Sequence, residues 1–208
     1  MDYHGANLKK LLLITFAFIL ASLNAYPQWY WQNPLPQGNT LNSVKFLSYT
    51  FGVNVGMAGT MLKTTDSGIT WTTLASGTTN DLMDVSFIDA NNGWVVGWYG
   101  TILNTTDGGA TWNPQTSGVP AKYLLGVFFT DLNNGTAVGQ DGTIIRTTDG
   151  GLNWNTQLSS TTSELTDVCF NDANNGWVVG WDGTILKTTD AGSTWTPQTG
   201  GSSKLLKS

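Results

Sequence analysis

TTDSGITW (64–71), TTDGGATW (105–112), TTDGGLNW (147–154) and TTDAGSTW (188–195) are four near-copies of one octet, and their closing tryptophans fall 41, 42 and 41 residues apart. A fixed period of roughly 20–50 residues predicts a repeat architecture in which each unit buries its face against the next. Outward from the octet, the second copy reads LMDVSF (82–87), the Asn-rich turn IDANNG (88–93), WVVG (94–97), the Gly turn WYG (98–100), TILNTT (101–106), DGGA (107–110) and TWNPQ (111–115). The third copy starts at Leu124 and the fourth at Leu165 in the same order. The first, from Leu41, has Ser48-Tyr49-Thr50-Phe51 in place of the Asp-x-Asn-Asn turn. Each unit therefore predicts four short strands, A to D, in an antiparallel meander with tight Gly and Asn turns. One such sheet cannot bury both faces, but sheets stacked radially can, so the expected fold is an all-β β-propeller with blades at 41–78, 82–119, 124–160 and 165–200.

Composition narrows the chemistry. Only 11% of residues are charged and the formal net charge is −5; without the first 25 residues (one Asp, two Lys) it becomes −5 − 1 = −6. Nine scattered basic residues make no phosphate-tracking stripe, so nucleic acid is not an expected partner. The only histidine, His4, lies in the N-terminal segment, which leaves no imidazole for a Ser–His triad or a metal centre. No cofactor or metal is expected. Cys169, the only cysteine, alternates with Val168 and Phe170 and is expected to pack as a small hydrophobe.

The ends carry different signals. Lys9 and Lys10 precede an apolar run from Leu11 to Leu23, then Asn24 and Ala25. This order suits a secretory signal over 1–25, with the apolar run shorter than the roughly 20 residues of a membrane span, and predicts export to the periplasm, cell surface or medium. Within 26–40, Trp29–Pro34 has the look of a D strand, and 201–208 that of a truncated fifth A strand. The expectation is a partial propeller, the first part of a longer product; a closed four-bladed ring is the competing arrangement.

In the octet, Asp66, Asp107, Asp149 and Asp190 can accept turn amides, and Gly68, Gly108, Gly151 and Gly192 can take a positive φ. Trp71, Trp112, Trp154 and Trp195 can wedge between blades. These residues are expected to be architectural. The turn Asp89-Ala90-Asn91-Asn92-Gly93 lacks the spacing and terminal glutamate of a calcium loop.

The S/T-x-D-x-G-x-T-W pattern resembles the Asp-box, or bacterial neuraminidase repeat, of sialidases, sortilin-type receptors and xyloglucanases. The fuller unit, V-x-F-x-D-x-N-N-G-W-x-V-G-x-x-G-T-I-L-x-T-T-D-G-G-x-T-W, is similar to the photosystem II stability and assembly factor family and its secreted bacterial relatives, over about residues 28–208. The resemblance implies a propeller. It does not carry over a sialidase site, which needs three arginines and a tyrosine–glutamate pair, because the chain has one arginine, Arg146, and one glutamate, Glu164. The arginine-rich patch of the photosystem factors is missing for the same reason. A xyloglucanase-like site would need a carboxyl pair, for which Asp141 and Asp182 are the candidates.

In a meander, A–B and C–D turns share one face of the disk, and B–C turns share the other with the D–A links. The near-invariant turns fall on the first face. The second carries the varying pairs Met57-Ala58, Trp98-Tyr99, Gln140-Asp141 and Trp181-Asp182, beside Lys122-Tyr123 and Glu164. Loops on a rigid scaffold hold binding residues, so Trp98, Tyr99, Tyr123, Gln140, Asp141, Trp181 and Asp182 are the expected binding set, with a protein or carbohydrate partner. A secreted, non-enzymatic scaffold is the leading expectation; a xyloglucanase-like hydrolase and a photosystem II assembly factor are the alternatives.

Overall fold

The computed structural model describes residues 38–199, so the expected signal segment 1–25, the D-like strand at Trp29–Pro34 and the segment 201–208 lie outside the described residues. Among the described residues sixteen strands form four antiparallel sheets, each in chain order. Blade 1 holds β1 (Leu41–Phe46), β2 (Gly52–Gly56), β3 (Met61–Thr64) and β4 (Thr72–Leu74). Blade 2 holds β5 (Leu82–Phe87), β6 (Gly93–Gly97), β7 (Thr101–Thr105) and β8 (Asn113–Thr116). Blade 3 holds β9 (Leu124–Phe129), β10 (Gly135–Gly139), β11 (Thr143–Thr147) and β12 (Asn155–Gln157). Blade 4 holds β13 (Leu165–Phe170), β14 (Gly176–Gly180), β15 (Ile185–Thr188) and β16 (Thr196–Pro197). The D strands begin after the octet tryptophan, not at it, because the tryptophan is turned into the blade interface.

The A strands read L-x-x-V-x-F, and a strict period of two would put the first and fourth residues on opposite faces. Leu82, Val85 and Phe87 are nevertheless all buried together. The pairing register skips between Leu82 and Asp84, and the same skip recurs in the other three A strands. This β-bulge puts the leucine, valine and phenylalanine on one face and re-aims the third residue.

Three interfaces between successive blades share one residue code. From the blade in front, the second and fourth residues of strand B and the apolar residue near the start of strand C project forward, as Trp94, Val96 and Ile102 do from blade 2. They meet Leu124, Val127, Phe129, Ala137, Ile145 and Trp154 of blade 3. Trp94 stacks on Phe129 at 3.6 Å between ring centroids and donates its Nε1–H to the Gly150 carbonyl. In blades 1 and 3 the same carbonyl position of the next octet receives Lys63 Nζ (to Gly108) or Arg146 Nε (to Ala191) instead.

The octet turn is a closed circuit. Buried Thr105 accepts from the Gly109 amide at 2.9 Å and donates to Asp107 Oδ1 at 2.8 Å; Asp107 also accepts from the Thr111 amide and hydroxyl. These donors hold the Asp107 carboxyl down at about 2, the Thr111 hydroxyl contributing most. Asp66, Asp149 and Asp190 are bonded alike. Two successive left-handed residues open each turn, Gly108-Gly109 in blade 2 and Ser67-Gly68 in blade 1. The octet also bonds to the A–B turn beside it, as Gly108 N–H does to the Asn91 carbonyl. Asp89, Asp131 and Asp172 close those A–B turns on the amides two and three residues on.

The seam indoles are unevenly satisfied. Trp154 Nε1 donates to Gln115 Oε1 of the preceding blade, whereas buried Trp112 Nε1 and Trp195 Nε1 have no acceptor. Leu74 stands where Gln115 does in the seam of Trp112, and in the seam of Trp195 the matching Gln157 donates to the Asn155 carbonyl instead. Leu74→Gln is expected to raise the unfolding free energy by about 1 kcal/mol, the net worth of one added hydrogen bond. Urea melts of the two proteins check it.

Cys169 departs from expectation: it is exposed, not packed. In blades 2 and 3 the fifth residue of the A strand faces the following blade: Ser86 accepts the Phe129 amide and Phe128 meets Phe170. Among the described residues no blade follows blade 4.

Candidate binding surface

Each B–C connection is a two-residue hairpin turn with both central residues left-handed: Ala58-Gly59, Tyr99-Gly100, Asp141-Gly142 and Asp182-Gly183. Such turns favour Asn or Asp before Gly. Blades 3 and 4 comply. Blade 2 places a tyrosine at φ 56°, a conformation costing a non-glycine residue on the order of 1–2 kcal/mol. The D–A links lie against these turns, since Trp98 N–H donates to the Asp81 carbonyl, Gln140 N–H to Tyr123 and Trp181 N–H to Glu164.

The structure brings five of the seven expected binding residues into one group. Trp98 stacks on Tyr123 at 4.6 Å and 17°, and Tyr99 meets Tyr123 edge-on at 5.6 Å. Tyr99 is 55% exposed, while Trp98 and Tyr123 are half-buried. Gln140 is tied to this group by its amide on the Tyr123 carbonyl, and Asp141 by an ion pair with Lys122 at 2.7 Å. The result is an aromatic platform with a charged edge, able to receive an apolar or planar group while offering hydrogen bonds at its rim.

Trp181 and Asp182 sit apart from that group. Asp182 accepts from Ser163 Oγ and Asp141 from Lys122 Nζ, so the two carboxyls are bonded to different neighbours. Trp181, 48% exposed, stands at the mouth of a cavity of about 420 Å³ where the A strands converge. Its wall carries Asp84 and Asp167, the residues re-aimed by the bulges, with Ser43 and Glu164. Sequence reading passed over the two aspartates; their signal was a polar third residue inside otherwise apolar A strands.

Asp84 Oδ2 accepts the Val127 amide of blade 3, and Oδ1 accepts Ser43 Oγ of blade 1 and the Val85 amide. Burial pushes its carboxyl up to about 6 despite these three donors, and the charge of Asp167 pushes the same way. The folded chain therefore binds this proton more tightly than the unfolded chain. Stability from this group is full below the unfolded value near 4 and is lost as pH rises through about 6. The octet aspartates have the opposite sign and act only below about 4, since their carboxyls are held low. The unfolding free energy is expected to rise between pH 7 and pH 5 by about 1 kcal/mol, and Asp84→Asn to flatten that rise. Thermal melts across the range test it.

Among the described residues no group of three or more His, Cys, Asp or Glu side chains could hold a metal ion, and no helix is long and apolar enough to cross a membrane.

The sequence model for "Photosynthesis system II assembly factor YCF48" matches residues 71–160 and 118–205. No curated protein matches. Among solved structures, YCF48 from Cyanidioschyzon merolae is 25% identical with a TM-score of 0.63, covering 81% of this chain and 59% of that one. YCF48 bound to D1 peptide is 19% identical with a TM-score of 0.56, over 83% and 84% of the two chains. An ancestral GH74 enzyme is 18% identical with a TM-score of 0.67, over 84% of this chain and 26% of that one. The last two show the fold alone. The chain spans 59% of the length of its Cyanidioschyzon relative.

Proposed function

The chain belongs to the photosynthesis system II assembly factor YCF48 family, and from that premise we propose that it is an exported, non-enzymatic scaffold that holds a segment of a partner protein on its B–C-turn face. The observation that carries this reading is Tyr99. A tyrosine kept half-exposed at a left-handed turn position, where aspartate serves in two sister blades, is strain retained for a purpose other than folding. It completes a platform with Trp98 and Tyr123, and tyrosine and tryptophan dominate the centres of protein interfaces. Binding of a peptide by a YCF48 protein, D1 in that case, is in keeping with a peptide-sized ligand. The sole arginine, Arg146, is committed to the Ala191 carbonyl, so the partner is recognised by aromatic contact and not by an arginine cluster. Export rests on Lys9, Lys10 and the apolar run that follows. The hydrolase alternative has less support, because Asp141 and Asp182 are bonded to different neighbours.

Selection of a phage-displayed random peptide library on the purified chain tests the proposal, with Tyr99→Asn as counter-selection. Tyr99→Asn relieves the turn while losing the edge contacts with Trp98 and Tyr123, opposing effects each on the order of 1–2 kcal/mol that offset each other. Its stability should match wild type while the selected peptides no longer bind. Peptides that bind both proteins equally would contradict the assignment of the face, and reducing-sugar release from xyloglucan would contradict the non-enzymatic reading.

A further inference from the structure

The blade-to-blade code leaves two faces without a partner among the described residues, and they match each other. The forward face of blade 4 presents Trp177, Val179 and Ile185, the same three residue types in the same strand positions as Trp94, Val96 and Ile102 of blade 2. The rear face of blade 1 presents Leu41, Val44 and Phe46, the counterparts of Leu124, Val127 and Phe129 of blade 3, with Leu62 and Trp71 behind them. Leu41, Val44 and Phe46 are 40%, 52% and 46% exposed, whereas their blade 3 counterparts are buried. The polar groups match as well. Lys187 lies over the Trp177 ring at 5.5 Å, on the strand position from which Lys63 and Arg146 reach the next octet's carbonyl. Asp167 stands at the strand position from which Asp84 accepts the Val127 amide across the blade boundary. On blade 1, Asn54 takes the position of Ala137, and its buried Oδ1 has no hydrogen-bond partner.

From this we propose that two copies of the chain pair head to tail, the forward face of blade 4 of one copy seating on the rear face of blade 1 of the other. The occupant is a second copy because the contact continues an interface already formed three times within the chain, with Trp177 placed to stack on Phe46 as Trp94 does on Phe129. It is a heterologous contact, one that closes when the rotation per blade allows; two copies make eight blades, within the roughly four-to-eight range of propellers. Cys169, on the forward face, becomes buried in the pair.

Sedimentation velocity of the purified chain between about 1 and 100 µM tests this, together with the rate at which iodoacetamide alkylates Cys169. The wild type is expected to form a dimer on concentration, with Cys169 alkylation slowing at least tenfold. Val44→Asp and Trp177→Ala alter only the two open faces and should each give a folded monomer with fast alkylation at every concentration. A mixture of these two variants should recover dimers, since the intact tail of the Val44→Asp chain meets the intact head of the Trp177→Ala chain. Circular dichroism confirms that both variants are folded. A wild type that stays monomeric at 100 µM overturns the proposal and leaves the faces to further blades or to another protein. Dimers that survive both substitutions, or variants that fail to complement, overturn it equally.

Discussion

Trp154→Ala is expected to lower the unfolding free energy by about 3–5 kcal/mol, the usual cost of emptying a fully packed aromatic site. Trp154 fills the seam between blades 2 and 3, edge-on to Phe129 at 5.8 Å and hydrogen-bonded to Gln115. Its loss would open a void beneath the Trp94–Phe129 stack and leave the Gln115 oxygen without its indole donor. A domain of ordinary stability has only about 5–15 kcal/mol in total, so the midpoint of thermal unfolding should fall by roughly 10 °C. Trp71→Ala makes the informative comparison. Trp71 holds the same octet position, but it is half-buried because no blade among the described residues lies behind it, and its ring meets Phe46 of its own sheet edge-on at 6.1 Å. Its removal should cost about 1–2 kcal/mol, in proportion to the smaller area withdrawn from water. Equal costs in the two variants would mean that the rear of blade 1 is covered.

Trp98→Ala should weaken binding of a selected peptide by at least about 2 kcal/mol, a loss of roughly 30-fold, as for a central aromatic anchor. Trp98 is the floor of the platform: its ring supports Tyr123 face to face and Tyr99 edge-on at 6.3 Å, so its removal also frees the two tyrosines to leave their positions. Stability should change much less than for Trp154→Ala, since Trp98 lies at a turn and not in a blade seam. Isothermal titration with wild type and variant separates the two effects. Unchanged affinity would move the binding site off blade 2.

Blade architecture was legible because the signals are local. Asp-x-Asn-Asn and Thr-Thr-Asp-x-Gly each close a turn with their own side chains, and the same bonds recur in successive copies. What the sequence hid depends on neighbours in space. The A-strand bulge looks like imperfect alternation until Leu82 and Val85 are found on one face, and only then does Asp84 become a residue of a shared cavity. Cys169 reads as a packed strand residue, because its environment depends on whether a further blade follows. In the B–C turns, Trp98-Tyr99 stood out as unusual residues, yet Tyr99's left-handed backbone becomes visible only when the turn is recognised as a two-residue hairpin. The ion pair of Lys122 with Asp141, which joins a link to the turn of the next blade, had no signal beyond proximity to the varying turns.

The central claim is that the octets build the scaffold and the opposite face does the binding. The most direct measurement is photo-crosslinking of a selected peptide to two versions of the chain, one with benzoylphenylalanine at position 99 on the B–C-turn face, the other at position 152, where Leu152 is exposed in an octet turn. Crosslinks should form at position 99 and be absent at position 152. Crosslinks at 152 with none at 99 would contradict the account.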